Sequence, residues 1–408
     1  MAQTHTAKSS ILWGPVWGLA FMQGAITLLW VIYNLYLVQL LTQLGFPQGL
    51  AVGLLVVENL LAMVVEPLVG TFSDRMQHQI GTRLPLISLG VVLAAGLFVV
   101  LPTALVWGQG ALRWGLPVLL VAWATAMAVF RSPALSLLAR YAMGTQLPQA
   151  ASILTLVGGV SGAMGPFAGQ FILGMGPFVA FTLGSVVLLL ATLALRWVGP
   201  KGGADSVEGA EEAIASPASS PLPWANLSLV FGTGVGVGLG FRLVMTALPA
   251  TLAQRVPNAN IPLVLGALFI ALALTAIPAG QLARRLGNRR AMVLGLSAMA
   301  SLAILVGVIS STAVGMLLAA LFGAALSLVS NGTLPFALTM VPPARAGLGT
   351  GTYFSGGALA ASVGGGLFSN SGLGPTAITL VAALAFLLAG LCVGYSGRMG
   401  RVEGRAVG

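Results

Sequence analysis

The sequence predicts an all-α integral membrane protein with twelve transmembrane helices in two six-helix repeats. Three observations predict it: the composition, a series of twelve apolar runs, and the sorting of basic residues between the loops. Of 408 residues, 57% are hydrophobic and 6% are charged, whereas soluble domains carry about 25% charged residues. So little polar material cannot clothe a soluble core of this size. A transmembrane β-barrel is excluded because its strands alternate apolar with polar residues, and these runs are continuously apolar. The 55 glycines and 22 prolines are tolerated in membrane helices, where neighbouring helices satisfy the freed backbone groups.

About 20 apolar residues cross a bilayer. The runs that meet this length are Trp13–Leu41, Gln48–Gly70, Pro85–Val106, Trp114–Leu138, Gln149–Leu173 and Pro177–Leu195 in the first half. In the second half they are Trp224–Leu252, Ile261–Leu282, Ala291–Ser310, Ala313–Met340, Ala346–Phe368 and Pro375–Tyr395. The first, seventh and tenth exceed the hydrocarbon thickness and call for tilt. Residues 197–223 break the pattern with Gly, Ser and Pro, and hold Asp205, Glu208, Glu211 and Glu212, half of the 8 acidic residues. That composition is a solvated linker. The expected organisation is a six-helix bundle over 1–196, a linker over 197–223, a second bundle over 224–396 and a tail over 397–408.

The 18 Lys and Arg residues sort by side. Fourteen fall at one end of the spans, Arg113 and Arg255 at the other, and Arg131 and Arg242 within spans. The positive-inside rule then places both termini and the linker in the cytoplasm and the protein in the cell membrane. Residues 1–10 are polar and the following run is too long for a signal-peptide core, so no cleavable signal is expected. The net charge of +10 is spread over loops and makes no nucleic-acid patch. Cys392 is the single cysteine and His5 and His78 the only histidines, an inventory that suits no metal or haem site. No nucleophile–base pair or phosphate loop suggests an enzyme, and no cofactor is expected.

The two halves repeat a motif. Pro67-Leu-Val-Gly70 leads through Asp74 and Arg75 to Gly81, Arg83 and Pro85; Pro278-Ala-Gly280 leads through Arg284 and Arg285 to Gly287. Aligning Gly70 with Gly280 aligns Arg75 with Arg285. Six-span parallel repeats build transporters whose site lies between the halves near the midplane. With this motif the chain resembles a major facilitator superfamily transporter. The run from Ser73 to Pro85, together with Leu40–Pro47, Glu66-Pro67 and Phe130-Arg131-Ser-Pro133, is similar to the sucrose-transporter and glycoside–pentoside–hexuronide symporter branch. The chain departs from that branch at Arg140, where an acid is usual, and in keeping Arg83 alone of an arginine cluster. Gly162-x-x-Gly165-Pro166-x-x-Gly169 resembles a drug:proton antiporter motif, and the same glycines also make a close-packing helix face.

Ionisable groups within spans need a reason, since an Arg at a helix centre costs about 2.5–3.5 kcal/mol on insertion scales. Glu58, Glu66, Arg131 and Arg242 are those groups. Glu66 and Arg131 lie at matching depths, so they can pair, either as a fixed structural pair or as a proton-linked one. Glu58 has no evident partner in the sequence, which makes it a proton-coupling candidate. Arg242, at mid-span, is a candidate cavity residue for an anionic or hydroxyl-rich solute, or a counter-charge to Glu58. Tyr33, Asn34 and Tyr36 are further cavity candidates, as rings and amides suit a sugar, and Arg131 is another. Gly70, Asp74, Arg75, Arg83, Arg140, Gly280, Arg284 and Arg285 are expected to form conformational latches, with Asp74 paired to Arg140 and the second latch weaker.

The expected function is secondary transport of a small solute by alternating access, with a sugar or glycoside as cargo and protons as coupling ion. Export of drugs or metabolites on the same fold, and a receptor or assembly role without transport, are the alternatives. The expected partners are the solute, protons and the lipid bilayer, and the chain is expected to act as a monomer.

Overall fold

A computed structural model describes residues 11–107, 110–199, 221–368 and 371–406. Most of the predicted linker, 200–220, lies outside the described residues. Among the described residues the chain is helical, without strands. Twelve long helices follow one another: α1 Trp13–Gln43, α2 Gly49–Ile80, α3 Leu84–Val100, α4 Gly115–Ser136, α5 Leu147–Gly174 and α6 Pro177–Val198. The second set comprises α7 Trp224–Arg255, α8 Ile261–Leu286, α9 Asn288–Leu305, α10 Thr312–Thr339, α11 Ala346–Gly366 and α12 Pro375–Ala406.

Eleven of these are long and apolar enough to span a bilayer. The exception is α11, whose many glycines and hydroxyls dilute its hydropathy. The same composition lets it press against α2 and α7: a methyl at Gly351 would overlap the Glu66 carbonyl, and one at Gly356 would overlap that of Phe231. Small residues let helix backbones approach where lipid gives no hydrophobic drive to associate.

The apolar side chains divide into two cores. One gathers α1–α6 around Trp123, Phe98, Phe130 and Phe181. The other gathers α7–α12 around Phe322, Phe336 and Phe386. The outward surface is also apolar, with Leu68 64%, Phe171 71% and Leu274 73% exposed, as a lipid-facing surface must be. Asn331, which heads an Asn-Gly-Thr sequence, is fully buried and donates Nδ2 to the Ala276 carbonyl at 2.7 Å. It is a helix-packing group.

The motif segments after spans two and eight are helical, not loops. Helix α2 runs ten residues past Gly70 and turns at Gly81 (φ 79°), and α8 runs past Gly280 to turn at Gly287 (φ 87°). The positive φ at each turn needs glycine. Polar residues here therefore sit on helix faces, and the helices outlast their apolar runs.

Arg83, Arg140, Arg284 and Arg345 gather at one end of the bundle, beside Ser136, Gln149 and Pro221. Arg113 stacks at the opposite end, 5.4 Å from the Phe46 ring centroid, and Arg255 donates to the Gly307 carbonyl there. Reporter fusions within 200–220 and after Arg401 are expected to read cytoplasm. A signal from the opposite side at either position would overturn the positive-inside orientation.

Candidate functional site

At the arginine-rich end, α2 meets α11. Asp74, 7% exposed, accepts from Arg83 Nη2 at 2.6 Å. The backbone N–H groups of Gly347 and Leu348 donate to its two oxygens, each at 2.8 Å. Those N–H groups belong to the first turn of α11, which has no side-chain cap of its own. Asp74 thus caps a helix of the other half, where the helix dipole favours an anion. Gly70 and Gly347 make the approach possible, because a β-carbon on either would overlap the other's carbonyl.

The expected Asp74–Arg140 pair is corrected here: the Gly81 turn folds the chain back so that Arg83 reaches Asp74 first. Arg83 also donates to the Ser136 hydroxyl. Burial pulls the Arg83 guanidinium below its ordinary range, with Asp74 opposing and Arg140 adding to the shift. Arg75 is exposed.

The second repeat makes the matching contact in weaker form. Gly280 packs on Ser152 of α5 without room for a methyl. Arg284, which stands where Asp74 stands in the first repeat, donates to Gln149 Oε1 at 3.1 Å. A cation near the start of α5 gains nothing from that helix's dipole. Arg285 is exposed.

In the middle of the bundle Arg131 donates to Glu66 Oε1 through Nε at 2.9 Å and Nη2 at 2.5 Å. Glu66 is fully buried, the Arg131 side chain 22% exposed. The Phe354 ring lies under the guanidinium at 4.4 Å, a cation–π contact across the two halves. Glu58 has a partner that the sequence did not reveal: the Tyr33 hydroxyl of α1 donates to its Oε1. Its Oε2 is buried with no hydrogen-bond partner.

Tyr33 and Tyr36 are fully buried and line neither of the two cavities between the halves, which corrects their expected role. Tyr33 is fully buried between Glu58 and Trp123, stacked on the latter at 4.5 Å. Tyr36 donates to the Ile172 carbonyl at 2.7 Å. Both rings are wide enough to fill the space between helices, so the core takes them.

Two adjoining cavities lie between the halves. One of about 310 Å³ is lined by Asn34, Asn59, Arg131, Arg242, Trp30 and Phe354, among others. One of about 370 Å³ has Gln23, Thr27, Thr155, Ser330, Thr333 and Tyr353 as its polar lining. Phe354 and Gly357 line both. Asn34, Arg131 and Arg242 are thus brought to one place, and no ion pair joins Arg242 to Glu58. Asn59, Thr155, Ser330, Thr333, Tyr353 and Phe354 were not singled out from the sequence. The only signal was polar spacing within apolar runs, as in Ser330 and Thr333 one turn apart. The glycines of the Gly162–Gly169 motif serve helix packing: Gly162 abuts the Phe269 ring of α8, and Gly165 and Gly169 face Val31 and Leu35.

Residues 230–401 match the family described as Major Facilitator Superfamily. No curated protein matches the chain. Several solved structures are similar. The human organic anion transporter MFSD10 (TETRAN) superposes with a TM-score of 0.68 at 18% identity, over 93% of this chain and 99% of that one. The E. coli fucose:proton symporter FucP, in an outward conformation, gives 0.67 at 13% identity, over 93% and 98%. A bacterial homologue of the iron transporter ferroportin, in its outward-facing state, gives 0.66 at 19% identity, again over 93% and 98%. At these identities the likeness is one of fold. Residues 230–401 thus match the Major Facilitator Superfamily model, the fold is shared with these solved structures over nearly the whole chain, and eleven helices among the described residues are long and apolar enough to cross a membrane.

Proposed function

We propose that the protein carries a small organic solute across the membrane by alternating access, driven by protons. The observation that carries this reading is the pair of cavities lined by both halves, together with the Asp74 cap that ties α2 to α11 at the arginine-rich end. Separating α2 from α11 would break those bonds and open that end. Each such bond therefore favours the closed state and biases the equilibrium between states.

Glu58 is the proposed proton carrier. It is 3% exposed, holds one neutral partner and no cation, and lies one residue from cavity-lining Asn59. Glu66, tied to Arg131, is the proposed structural acid. Glu58→Gln is expected to keep solute exchange in proteoliposomes but to lose gradient-driven accumulation. For one coupled proton that accumulation reaches about tenfold per pH unit. Full accumulation in Glu58→Gln, in Glu66→Gln and in the double variant would remove both carboxyls from coupling.

A hydroxyl-bearing solute, in keeping with the resemblance to the sugar-symporter branch, is supported by the Gln, Thr and Ser lining of the larger cavity. Counterflow with a solute panel in vesicles of known orientation tests this and separates uptake from export.

A further inference from the structure

We infer that the transported solute is an organic anion whose carboxylate docks on Arg242; this rests on the transport reading above and names its substrate class. Of the 8 acidic residues in the chain, Asp205, Glu208, Glu211 and Glu212 lie in the linker and Glu403 in the tail. That leaves Glu58, Glu66 and Asp74 for the helices. Glu66 and Asp74 are committed to Arg131 and Arg83, the two ion pairs found among the described residues. Glu58 is bonded to Tyr33. Arg242, midway along α7, therefore has no acid within ion-pair distance among the described residues, and it faces the cavity of about 310 Å³. Its stem passes over Gly364, where no β-carbon stands in the way.

The other polar side chains on that cavity, Asn34, Asn59 and Arg131, offer donors, and the remaining lining is largely apolar. Arg131 spends Nε and Nη2 on Glu66 and keeps Nη1. Asn34 and Asn59 each give one Nδ2 hydrogen to a backbone carbonyl four residues back, at 2.7 Å, and keep the second. No acid lines the space. A guanidinium fork with flanking amide donors is the complement of a carboxylate. Arg242 is exposed where it lines the cavity, so it meets a solute directly: an anion gains a counter-charge there and a cation is repelled. The adjoining cavity of about 370 Å³ has no charged lining residue. It takes the body of the anion, past Phe354 and Gly357, while the head stays at Arg242.

Two measurements on the purified full-length protein test this. The first is thermal unfolding in detergent with matched pairs: glucuronate against glucose, and benzoate against benzamide. The second is counterflow of the same solutes in proteoliposomes. A carboxylate is expected to stabilise the protein where its neutral partner does not. Arg242→Gln is expected to weaken that binding on the order of 10–100-fold, and Arg242→Lys, which keeps charge without the fork, to lose less. Both variants elute as monodisperse protein if, as inferred, Arg242 serves the ligand and not the fold.

Equal binding of acid and neutral partner, no binding of any carboxylate, or wild-type carboxylate binding by Arg242→Gln overturns the inference. Neutral-solute counterflow that Arg242→Gln leaves untouched overturns it while leaving the transport reading intact. Carboxylate binding that depends on Arg242, without counterflow of any solute, does the reverse.

Discussion

Glu66→Gln is expected to lower the stability of the folded protein by about 3 kcal/mol, at the low end of the roughly 3–5 kcal/mol for breaking a buried ion pair. Glu66 is wholly enclosed, and both of its bonds come from Arg131. A glutamine fits the same space and offers one carbonyl, but no charge. Arg131 would then keep only the Phe354 ring and its partial access to the cavity, with the side chain 22% exposed. That partial access sets the cost at the low end. The measurement is the melting temperature of purified protein together with the yield of monodisperse material. The double variant Glu66→Gln/Arg131→Gln removes both charges and is expected to recover most of the loss, since the cost lies in the orphaned charge. An unchanged melting temperature in Glu66→Gln would show that the pair contributes nothing to the fold.

Asp74→Asn is expected to leave the protein folded and inserted while slowing turnover by about tenfold or more. The carboxylate joins Arg83 to the first turn of α11. Hydrogen bonds to a charged group contribute about 1.5–3 kcal/mol each. They exist only while α2 and α11 touch at this end, so their loss favours the state open there, and about 1.4 kcal/mol shifts the ratio of states tenfold. A cysteine placed at Thr155, with Cys392 replaced by serine, reports the shift as faster labelling from that end. Gly70→Ala separates geometry from charge: its methyl overlaps the Gly347 carbonyl and is expected to hold the same end open with Asp74 intact. Wild-type turnover in Asp74→Asn would dismiss the latch.

Much of the fold is readable along the chain because a bilayer imposes its thickness on every span separately. Each apolar run needs only its own residues to become a helix, since all backbone bonds close within it. Hence spans, repeat and the matching depths of Glu66 and Arg131 were legible. Distance along a helix is fixed at about 1.5 Å per residue, so residues counted from matching helix ends come to matching depths. Helix ends were less legible: α2 and α8 continue through polar residues until a glycine can take positive φ.

Lateral neighbours are a different matter, because they depend on side chains distant in sequence packing together. Asp74 finds α11 at a separation of 273 residues, and nothing in its own segment favours Gly347 over Arg140. Glu58 finds Tyr33 across α1 because the ring is too large to sit anywhere but the space between the helices. The same packing withdraws Tyr33 and Tyr36 from the cavity and leaves Arg242, Asn34 and Asn59 facing it. The sequence by itself determined where the long apolar helices run and in what order. Only the tertiary structure decided which of them meet, since helix rotation and contact are set by the fit of small and large side chains over the whole bundle.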